Sequence, residues 1–285
     1  MFEYKTLEDI RIEVLQEAFV DAFSDYQVKF DLPLWKFQRM LQRRGFTPGI
    51  SVGAFKEGRL VGFVLNGLRD WEGKLTSYDL GTGVIGEYRR QGITSNILSN
   101  LRELLREKGI EQYLLEVIKT NTSAYQLYLK QGFEVVREFA CYQLDKKAYQ
   151  PRITYEVESA AQISAIEWER LQSFWDYSPS WQNSVDSINA LAEVFHYSIV
   201  RQDGVIVGYG IMDKSSGDIA QLAVDQRYRH RGIAGSILSD LMLHTESERA
   251  SILNVDERDE GMKSFLKSVG FVDALGQYEM LLNIQ

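Results

Sequence analysis

The chain has few of the residues that build disulfides and metal sites, and it has no long hydrophobic run. Its 285 residues include one cysteine, 4 prolines and 3 histidines. The single cysteine, Cys141, excludes an internal disulfide and a multi-thiolate site, and the histidines are scattered along the sequence, so we expect no metal centre. No stretch reaches about 18 uncharged apolar residues, and the acidic start is unlike a signal peptide. We therefore expect a cytoplasmic protein without a membrane partner.

The composition is that of a folded protein with an acidic balance. Apolar residues make up 45% of the chain and charged residues 25%, which supports a buried core and argues against extensive disorder. The net charge is −8, and the excess of acids lies in the second half. Such a charge disfavours a nucleic-acid surface but leaves room for a local cationic pocket. The sequence leaves the oligomeric state open.

The chain contains one internal repeat. YRRQGITSNILSNL at 88–101 and YRHRGIAGSILSDL at 228–241 align at an offset of 140 residues and are identical at eight of fourteen positions. Flanking segments align at nearly the same spacing, so the repeat indicates two copies of one fold in tandem. We place the junction in the polar segment 145–152, which gives a first domain over 1–147 and a second over 148–285.

Apolar spacing in the first copy predicts alternating helices and strands. The fold class that this order predicts is α/β, with a mixed α+β sheet. Gly81 and Gly83 lie in a predicted strand and let something approach its backbone closely. Helices are expected at 7–24, 33–43, about 92–108 and 122–131, and strands in a hairpin before residue 69 and at 74–84, 113–118 and 133–143.

The turn between strand 74–84 and the next helix is the segment most suggestive of chemistry. Arg89 and Arg90 followed by Gly92 leave several backbone N–H groups at the positive end of a helix, an arrangement that binds a diphosphate. It is neither a Walker loop nor a Rossmann fingerprint, since both glycine patterns are absent. Alone, this turn fits a glycine-stopped bend with surface arginines equally well. Its recurrence in the second copy favours binding.

The two turns resemble the [RQ]-x-x-G-x-[GA] motif of the GNAT N-acetyltransferase superfamily, and the chain resembles its tandem two-domain members. The motif stands as Arg89-Arg90-Gln91-Gly92-Ile93-Thr94 and as Arg229-His230-Arg231-Gly232-Ile233-Ala234. Thr94 departs from the small residue usual at its position. The family's N-x-x-A-x-x-x-Y-x-x-x-G-F pattern appears as Asn121, Ala124, Tyr128, Gly132 and Phe133.

The resemblance implies a transferase with two GNAT-like acyl-CoA N-acyltransferase domains. The donor is acetyl-CoA, and the acceptor is a primary amine of a small molecule, a peptide or a protein. In the family, backbone N–H groups at the end of the splayed strand hold the acetyl oxygen, the turns hold the diphosphate, and an asparagine bonds the pantetheine arm. The implied cofactor-binding residues are Val84, Ile85, Arg89, Arg90, Gln91, Gly92, Ile93, Thr94, Asn121, Arg229, Arg231, Gly232 and Ala234.

The resemblance also implies catalytic residues in the first copy. Tyr128 matches the phenol that protonates the CoA sulfur in the family. The first copy contains no histidine, so removal of the amine proton falls to a carboxylate such as Glu116 or Asp79, or to water relayed by one. We predict Tyr128 and Glu116 as the catalytic residues, while Asn121 serves equally well as a helix N-cap.

The second copy lacks the residues that this chemistry needs. Leu266 stands where the first copy has Tyr128, and Asp259 stands where it has Asn121. We therefore expect an active first domain and a degenerate, structural or accessory second one. Two alternatives stay open: a CoA-binding sensor or interaction module without turnover, and an active second domain. A third alternative is a tandem transferase that uses a different acyl or aminoacyl donor.

Aromatic residues cluster in and around the first two predicted helices. They line an acceptor pocket or pack in the core, and the sequence favours the core. They are Phe19, Phe23, Tyr26, Phe30, Trp35 and Phe37.

Overall fold

The computed structural model describes residues 1–25 and 32–284. The chain forms two compact units: unit 1 is Met1–Val136 with Tyr278–Gln285, and unit 2 is Arg137–Gln277. Within the described residues, no helix has the length and apolar character that crossing a membrane requires.

Helices and strands alternate along both halves of the chain. The helices are α1 (Ile12–Ala22), α2 (Leu34–Arg44), α3 (Ile93–Glu107), α4 (Thr122–Lys130), α5 (Ala165–Leu171), α6 (Val185–Asn189), α7 (Ile233–His244) and α8 (Glu260–Ser268). The strands are β1 (Glu3–Thr6), β2 (Val52–Lys56), β3 (Arg59–Trp71), β4 (Lys74–Val84), β5 (Gln112–Ile118), β6 (Glu134–Asp145), β7 (Glu158–Ala160), β8 (Phe195–Gln202), β9 (Val205–Asp213), β10 (Ile219–Val224), β11 (Arg249–Asp256) and β12 (Val272–Asn283).

Unit 1 is built on a mixed sheet in which β1 to β5 follow one another. Strands β1 to β4 pair antiparallel, β4 and β5 pair parallel, and β12 is the next neighbour of β5. The apolar stripe of α3 packs on one face, because residues spaced three and four apart share a side of a helix. That stripe forms one core cluster with Tyr128 of α4 and with the fully buried Met280 of β12.

Unit 2 repeats this plan. A four-stranded antiparallel sheet runs β10-β9-β8-β7, and β11 pairs antiparallel with residues 139–145 of β6. Helix α7 packs its apolar residues against Leu222 and Val224 of β10, as α3 does in unit 1. The prediction of an α/β fold with a mixed sheet, present in two copies, is confirmed.

One extra residue in β4 changes which face its side chains occupy. Asn66 of β3 lies opposite Asp79, whereas its neighbour Leu65 lies opposite Gly81, so Leu80 is a one-residue bulge. Side chains alternate between the faces of a regular strand, and a bulge shifts that alternation by one. Asp79 therefore points to the face that carries α3 and α4, while Gly81 points to the face that carries α1.

The two glycines of β4 make room for the protein's own helix. A Cβ added at Gly81 would lie 3.0 Å from the ring of Phe19, and one at Gly83 would lie 2.6 Å from the ring of Phe63 and 3.0 Å from the Cβ of Ala22. Phe19 and Ala22 belong to α1, and Phe63 belongs to β3. The close approach that the sequence predicts at these glycines is thus made by α1 at Gly81 and by α1 together with Phe63 at Gly83.

Candidate active site

Strands β4 and β5 separate halfway along their length. Their parallel pairing extends from Thr76 opposite Gln112 to Tyr78 opposite Leu114, and no pair is recorded beyond it in this fully described region. Strand β4 nevertheless continues to Val84. An opening between the two strands follows, in the position that the resemblance implies for the thioester.

Backbone geometry decides which amide at the end of β4 faces this opening. The N–H of Ile85 donates to the carbonyl oxygen of Val61 on β3 at 3.0 Å. Because amides alternate in direction along a strand, the N–H of Val84 points to the other side, toward the opening. Of the two residues that the resemblance implies, only Val84 directs its amide toward the place where an acetyl oxygen would lie.

The turn before α3 forms a cradle of main-chain donors, which we define as residues 90–94. Arg90 and Gly92 both adopt left-handed conformations, with φ of 60° and 76°. The amides of the cradle donate to no protein group among the described residues, and α3 begins at Ile93. Successive amides in such alternating conformations make an anion-binding concavity. A Cβ at Gly92 would meet nothing within 4 Å, so the space above the cradle is open.

The side chain of Arg89 fixes the position of the cradle. Its guanidinium donates to Asp25 Oδ2 at 2.5 Å and to the carbonyl oxygens of Ala22 at 2.7 Å and Val84 at 3.0 Å. The hydrogen bond from Arg89 lowers the pKa of the Asp25 carboxyl. The guanidinium therefore links the turn to the end of α1 and to β4. The backbone N–H of Arg89 donates to the carbonyl oxygen of Gly86. Arg90 and Gln91, beside it, are exposed.

A buried carboxylate lies against the phenol of Tyr128. The hydroxyl groups of Tyr128 and Thr82 donate to Asp79 Oδ2 at 3.2 Å and 2.6 Å. Both Asp79 and Tyr128 are buried. Burial raises the pKa of Asp79 to about 6, although the hydrogen bonds from Thr82 and Tyr128 partly oppose the shift. This pKa lies in the range where a carboxyl group can exchange protons near neutral pH.

Glu116 lies on the other face of the sheet. Tyr113, Leu115 and Val117 of β5 pack in the same core cluster as Tyr128, so the alternate residue Glu116 points away from it. Together with burial, the charge of Glu116 raises the pKa of Tyr78, which faces the same way on β4. The structure thus brings Asp79, and not Glu116, into contact with Tyr128. The bulge at Leu80 produces this contact, and the sequence gives no signal of it.

Asn121 begins α4 as its N-cap. Its side-chain oxygen accepts a hydrogen bond from the N–H of Ala124 at 3.3 Å. The N-cap interpretation of this residue is confirmed. In unit 2, Asp259 accepts from Met262 N–H at the start of α8 in the same way.

Unit 2 repeats the cradle and its anchor. His230 and Gly232 have φ of 61° and 91°. The guanidinium of Arg229 donates to Asp176, to Phe174 O and to Val224 O at 2.6, 2.8 and 3.0 Å. The main chain of the first site is therefore reproduced. Arg231 donates to the carbonyl oxygen of Arg227, and Ala234 is half-buried at the start of α7.

The pair formed by Asp79 and Tyr128 has an apolar equivalent in unit 2. Strand β10 has the same bulge, between Ile219 and Gln221, so Ile219 occupies the place of Asp79. Ile219 and Leu266 are both buried in one apolar cluster. The positions of the hydrogen-bonded pair in unit 1 are thus both apolar core positions in unit 2.

The aromatic residues near the first helices divide between core and surface. Phe19 and Phe37 are buried, and Phe19 stacks on Phe63 of β3 at 5.6 Å between ring centroids. Trp35 is 49% exposed. Tyr26 and Phe30 lie outside the described residues.

Models of one family match both halves of the chain. The acetyltransferase (GNAT) family model matches residues 12–133, and a GNAT acetyltransferase domain model matches residues 163–280. Among curated relatives, GCN5-related N-acetyltransferase 6, chloroplastic, of Arabidopsis thaliana is 41% identical over 61 residues, which cover 21% of each protein. N-alpha-acetyltransferase MAK3 of Arabidopsis thaliana is 29% identical over 122 residues, covering 43% of this chain and 58% of that protein. The matches thus span less than two thirds of either relative.

Solved structures share the whole fold at low sequence identity. A tandem GNAT protein from the clavulanic acid biosynthesis pathway superposes with a TM-score of 0.76 at 14% identity, covering 100% of this chain and 99% of the other. A putative acetyltransferase from Pyrococcus horikoshii gives 0.71 at 18% identity, covering 100% and 89%. With the cradle, the separated strands and the two family matches in agreement, the chain belongs to the GNAT acetyltransferase family, as a tandem member.

Proposed function

We propose that unit 1 transfers the acetyl group of acetyl-CoA to a primary amine of a small molecule, a peptide or a protein. The contact between Asp79 and Tyr128 beside the opening of β4 and β5 carries this proposal. It joins a proton donor to a carboxyl group with a pKa of about 6. The first half of the chain (1–147) then holds the reaction, and the second half (148–285) is accessory.

The residues present fit acetyl-CoA, which would supply a thioester to the incoming amine. The cradle amides would hold the diphosphate, because they are open and lie at the positive end of α3. The Val84 N–H would stabilise negative charge developing on the acetyl oxygen. Arg89 is a positioning residue, because its guanidinium holds the cradle against α1 and β4.

The two proton transfers of the reaction are assigned to residues on opposite faces of the sheet. Tyr128 gives its hydroxyl proton to the departing sulfur, and Asp79 orients that hydroxyl and buffers its proton. Glu116, on the opposite face, takes the proton of the acceptor ammonium. Because the amine must be neutral to react, we expect the rate to rise with pH as the acceptor deprotonates.

Release of free thiol from acetyl-CoA tests the proposal directly. The full chain is incubated with a panel of amines that includes peptide N-termini, since one relative is named an N-alpha-acetyltransferase. Tyr128→Phe should lower kcat by about 100-fold to 1000-fold while the Kd of acetyl-CoA is unchanged. Leu266→Met, at the matched position of unit 2, should leave kcat unchanged.

Three results would contradict this assignment. Binding of acetyl-CoA without thiol release from any amine would favour the non-catalytic CoA-binding module. Full turnover by Tyr128→Phe, together with loss of turnover in Gly232→Val, would move the reaction to unit 2. Faster release from a longer acyl-CoA than from acetyl-CoA would change the donor.

A further inference from the structure

Two of the three histidines lie side by side in unit 2, at a distance from its cradle along α7. His196 is on β8 and His244 is the last residue of α7, and their rings stack with centroids 3.9 Å apart and planes 16° apart. The sequence suggests scattered histidines, because 48 positions separate these two in the chain. Packing of α7 on β8 brings them together.

One carboxylate lies close to a nitrogen of each ring. Asp240 precedes His244 by one helical turn, so both side chains project from the same side of α7. Asp240 Oδ2 lies 2.9 Å from His196 Nε2, and Asp240 Oδ1 lies 3.5 Å from His244 Nδ1. One potential ligand atom from each of the three residues lies within 4.8 Å of the others.

These separations are close to those of ligands around one metal ion. Zinc bonds of about 2.0–2.1 Å in a tetrahedron place neighbouring ligand atoms about 3.3 Å apart. The distances of 2.9 and 3.5 Å lie on either side of that value. His244 Nδ1 also lies 2.9 Å from the carbonyl oxygen of Asp240, so the half-exposed His244 ring must turn out of the stack to face an ion that His196 also binds. The donors are two imidazoles and one carboxylate, which suit zinc and similar divalent transition metals.

The surroundings of the carboxylate are those of a supported ligand. The fully buried Ser198 donates to Asp240 Oδ2 at 2.6 Å. Hydrogen bonds that orient a ligating carboxylate are typical of metal sites.

Access and charge are also consistent with a cation. The side chains of His196 and Asp240 are 10% and 15% exposed, whereas that of His244 is 45% exposed. The site is therefore anchored in the interior and reached from the side of His244. Asp240 supplies a carboxylate ligand, whose negative charge attracts a cation.

We propose that His196, Asp240 and His244 bind one divalent transition-metal ion, of which Zn²⁺ fits best. Three protein ligands leave the fourth position of the ion to water on the side of His244. The site lies in unit 2, whereas the acetyl transfer is proposed for unit 1.

Metal titration of the full chain tests this site without an activity assay. Tag-free protein is stripped with EDTA, and Zn²⁺ is titrated against a chromophoric chelator, with Co²⁺ as a spectroscopic probe. We expect one ion per chain, visible d–d absorption of bound Co²⁺, and a higher Tm with Zn²⁺. His196→Ala and Asp240→Asn should each weaken Zn²⁺ binding more than about 100-fold, and Ser198→Ala about tenfold.

Two further variants keep the test decisive if a buried substitution disturbs folding. His244→Gln changes a half-exposed side chain and should still weaken binding at least about tenfold. His230→Asn removes the third histidine, and asparagine tolerates its left-handed conformation, so Zn²⁺ binding should be unchanged. Absence of Zn²⁺ binding in the parent chain, or equal binding by the parent and His244→Gln, would overturn the proposal.

Discussion

The two units keep the same main-chain site and differ in the side chains that could react there. Both have an arginine anchored on a carboxylate and two carbonyls, and both have left-handed residues in the turn and a bulge in the adjoining strand. Where unit 1 has Asp79 and Tyr128, unit 2 has Ile219 and Leu266. The main-chain conformation of the turn is thus kept where the aspartate and the tyrosine are replaced by apolar residues. The space above it differs, because a Cβ at Gly232 would lie 2.9 Å from Thr154 Oγ1, whereas one at Gly92 would meet nothing within 4 Å.

The difference also has an energetic side. Burying Ile219 and Leu266 contributes roughly 1.5–3 kcal/mol each to folding. Asp79 works in the opposite direction, because its raised pKa means that the fold favours the neutral carboxyl group. Unit 1 therefore retains a destabilising group at its site, as expected where function constrains the sequence.

Introducing the carboxylate of unit 1 into unit 2 should have the largest effect. Ile219→Asp places a carboxyl group in an apolar cluster without the hydroxyl donors that Asp79 has. We expect a loss of about 3–5 kcal/mol of unfolding free energy at pH 8. Adding Leu266→Tyr should recover more than about 1 kcal/mol of it by supplying a donor. Equal stabilities of the single and double variants in urea unfolding would show that the two positions do not meet.

Truncation of a core residue in β12 tests whether this strand belongs to the core of unit 1. Met280 is fully buried in the cluster of α3 and α4. Met280→Ala should therefore lower the free energy of unfolding by about 2–5 kcal/mol. Leu144→Ala, in β6, is the matched change in the core of unit 2. Hydrogen exchange should speed up in α3 for the first variant and in α7 for the second. The opposite assignment would contradict the division of the chain.

Neutralising Asp79 should stabilise unit 1. Its pKa of about 6 lies above the ordinary range, so its contribution to stability is fully present below pH 4 and is lost as pH rises through 6. Asp79→Asn keeps an acceptor for Thr82 and Tyr128 and carries no charge. We expect the free energy of unfolding to rise by about 2–3 kcal/mol at pH 8 and not to change at pH 4. A gain that is independent of pH would point to packing instead of charge.

Substitution of the cradle glycines should produce the smallest free-energy change. Valine at Gly92 must adopt a left-handed conformation, which should lower the free energy of unfolding by about 1–2 kcal/mol. At Gly232 the added Cβ would also lie 2.9 Å from Thr154 Oγ1, so Gly232→Val should cost more than Gly92→Val. If the cradle of unit 1 serves the reaction, Gly92→Val should weaken acetyl-CoA binding about tenfold or more and slow turnover, while Gly232→Val leaves turnover unchanged. Gly92→Asn is the milder control, since asparagine tolerates this conformation. Calorimetry gives the affinity and the number of sites.

Much of the fold was accessible from the sequence because its signals are local. The repeat, the apolar stripe of α3 and the glycine turn are all read from neighbouring residues. The bulge at Leu80 could not be predicted from the sequence, because one inserted residue does not change the pattern of a buried apolar strand. The partnership of Asp79 with Tyr128 depends on that bulge. The stack of His196 on His244 depends on a helix packing on a strand, which no local pattern encodes.

Unit 1 is built from two segments that are far apart in the chain, and this affects the order in which the protein can fold during synthesis. Its core stays incomplete until Tyr278–Gln285 has left the ribosome, because Met280 belongs to that core. Every residue of unit 2 is synthesised in between. The candidate active site therefore matures only after unit 2 has been synthesised, and a nascent chain that stops short of β12 exposes the apolar edge of β5 to aggregation.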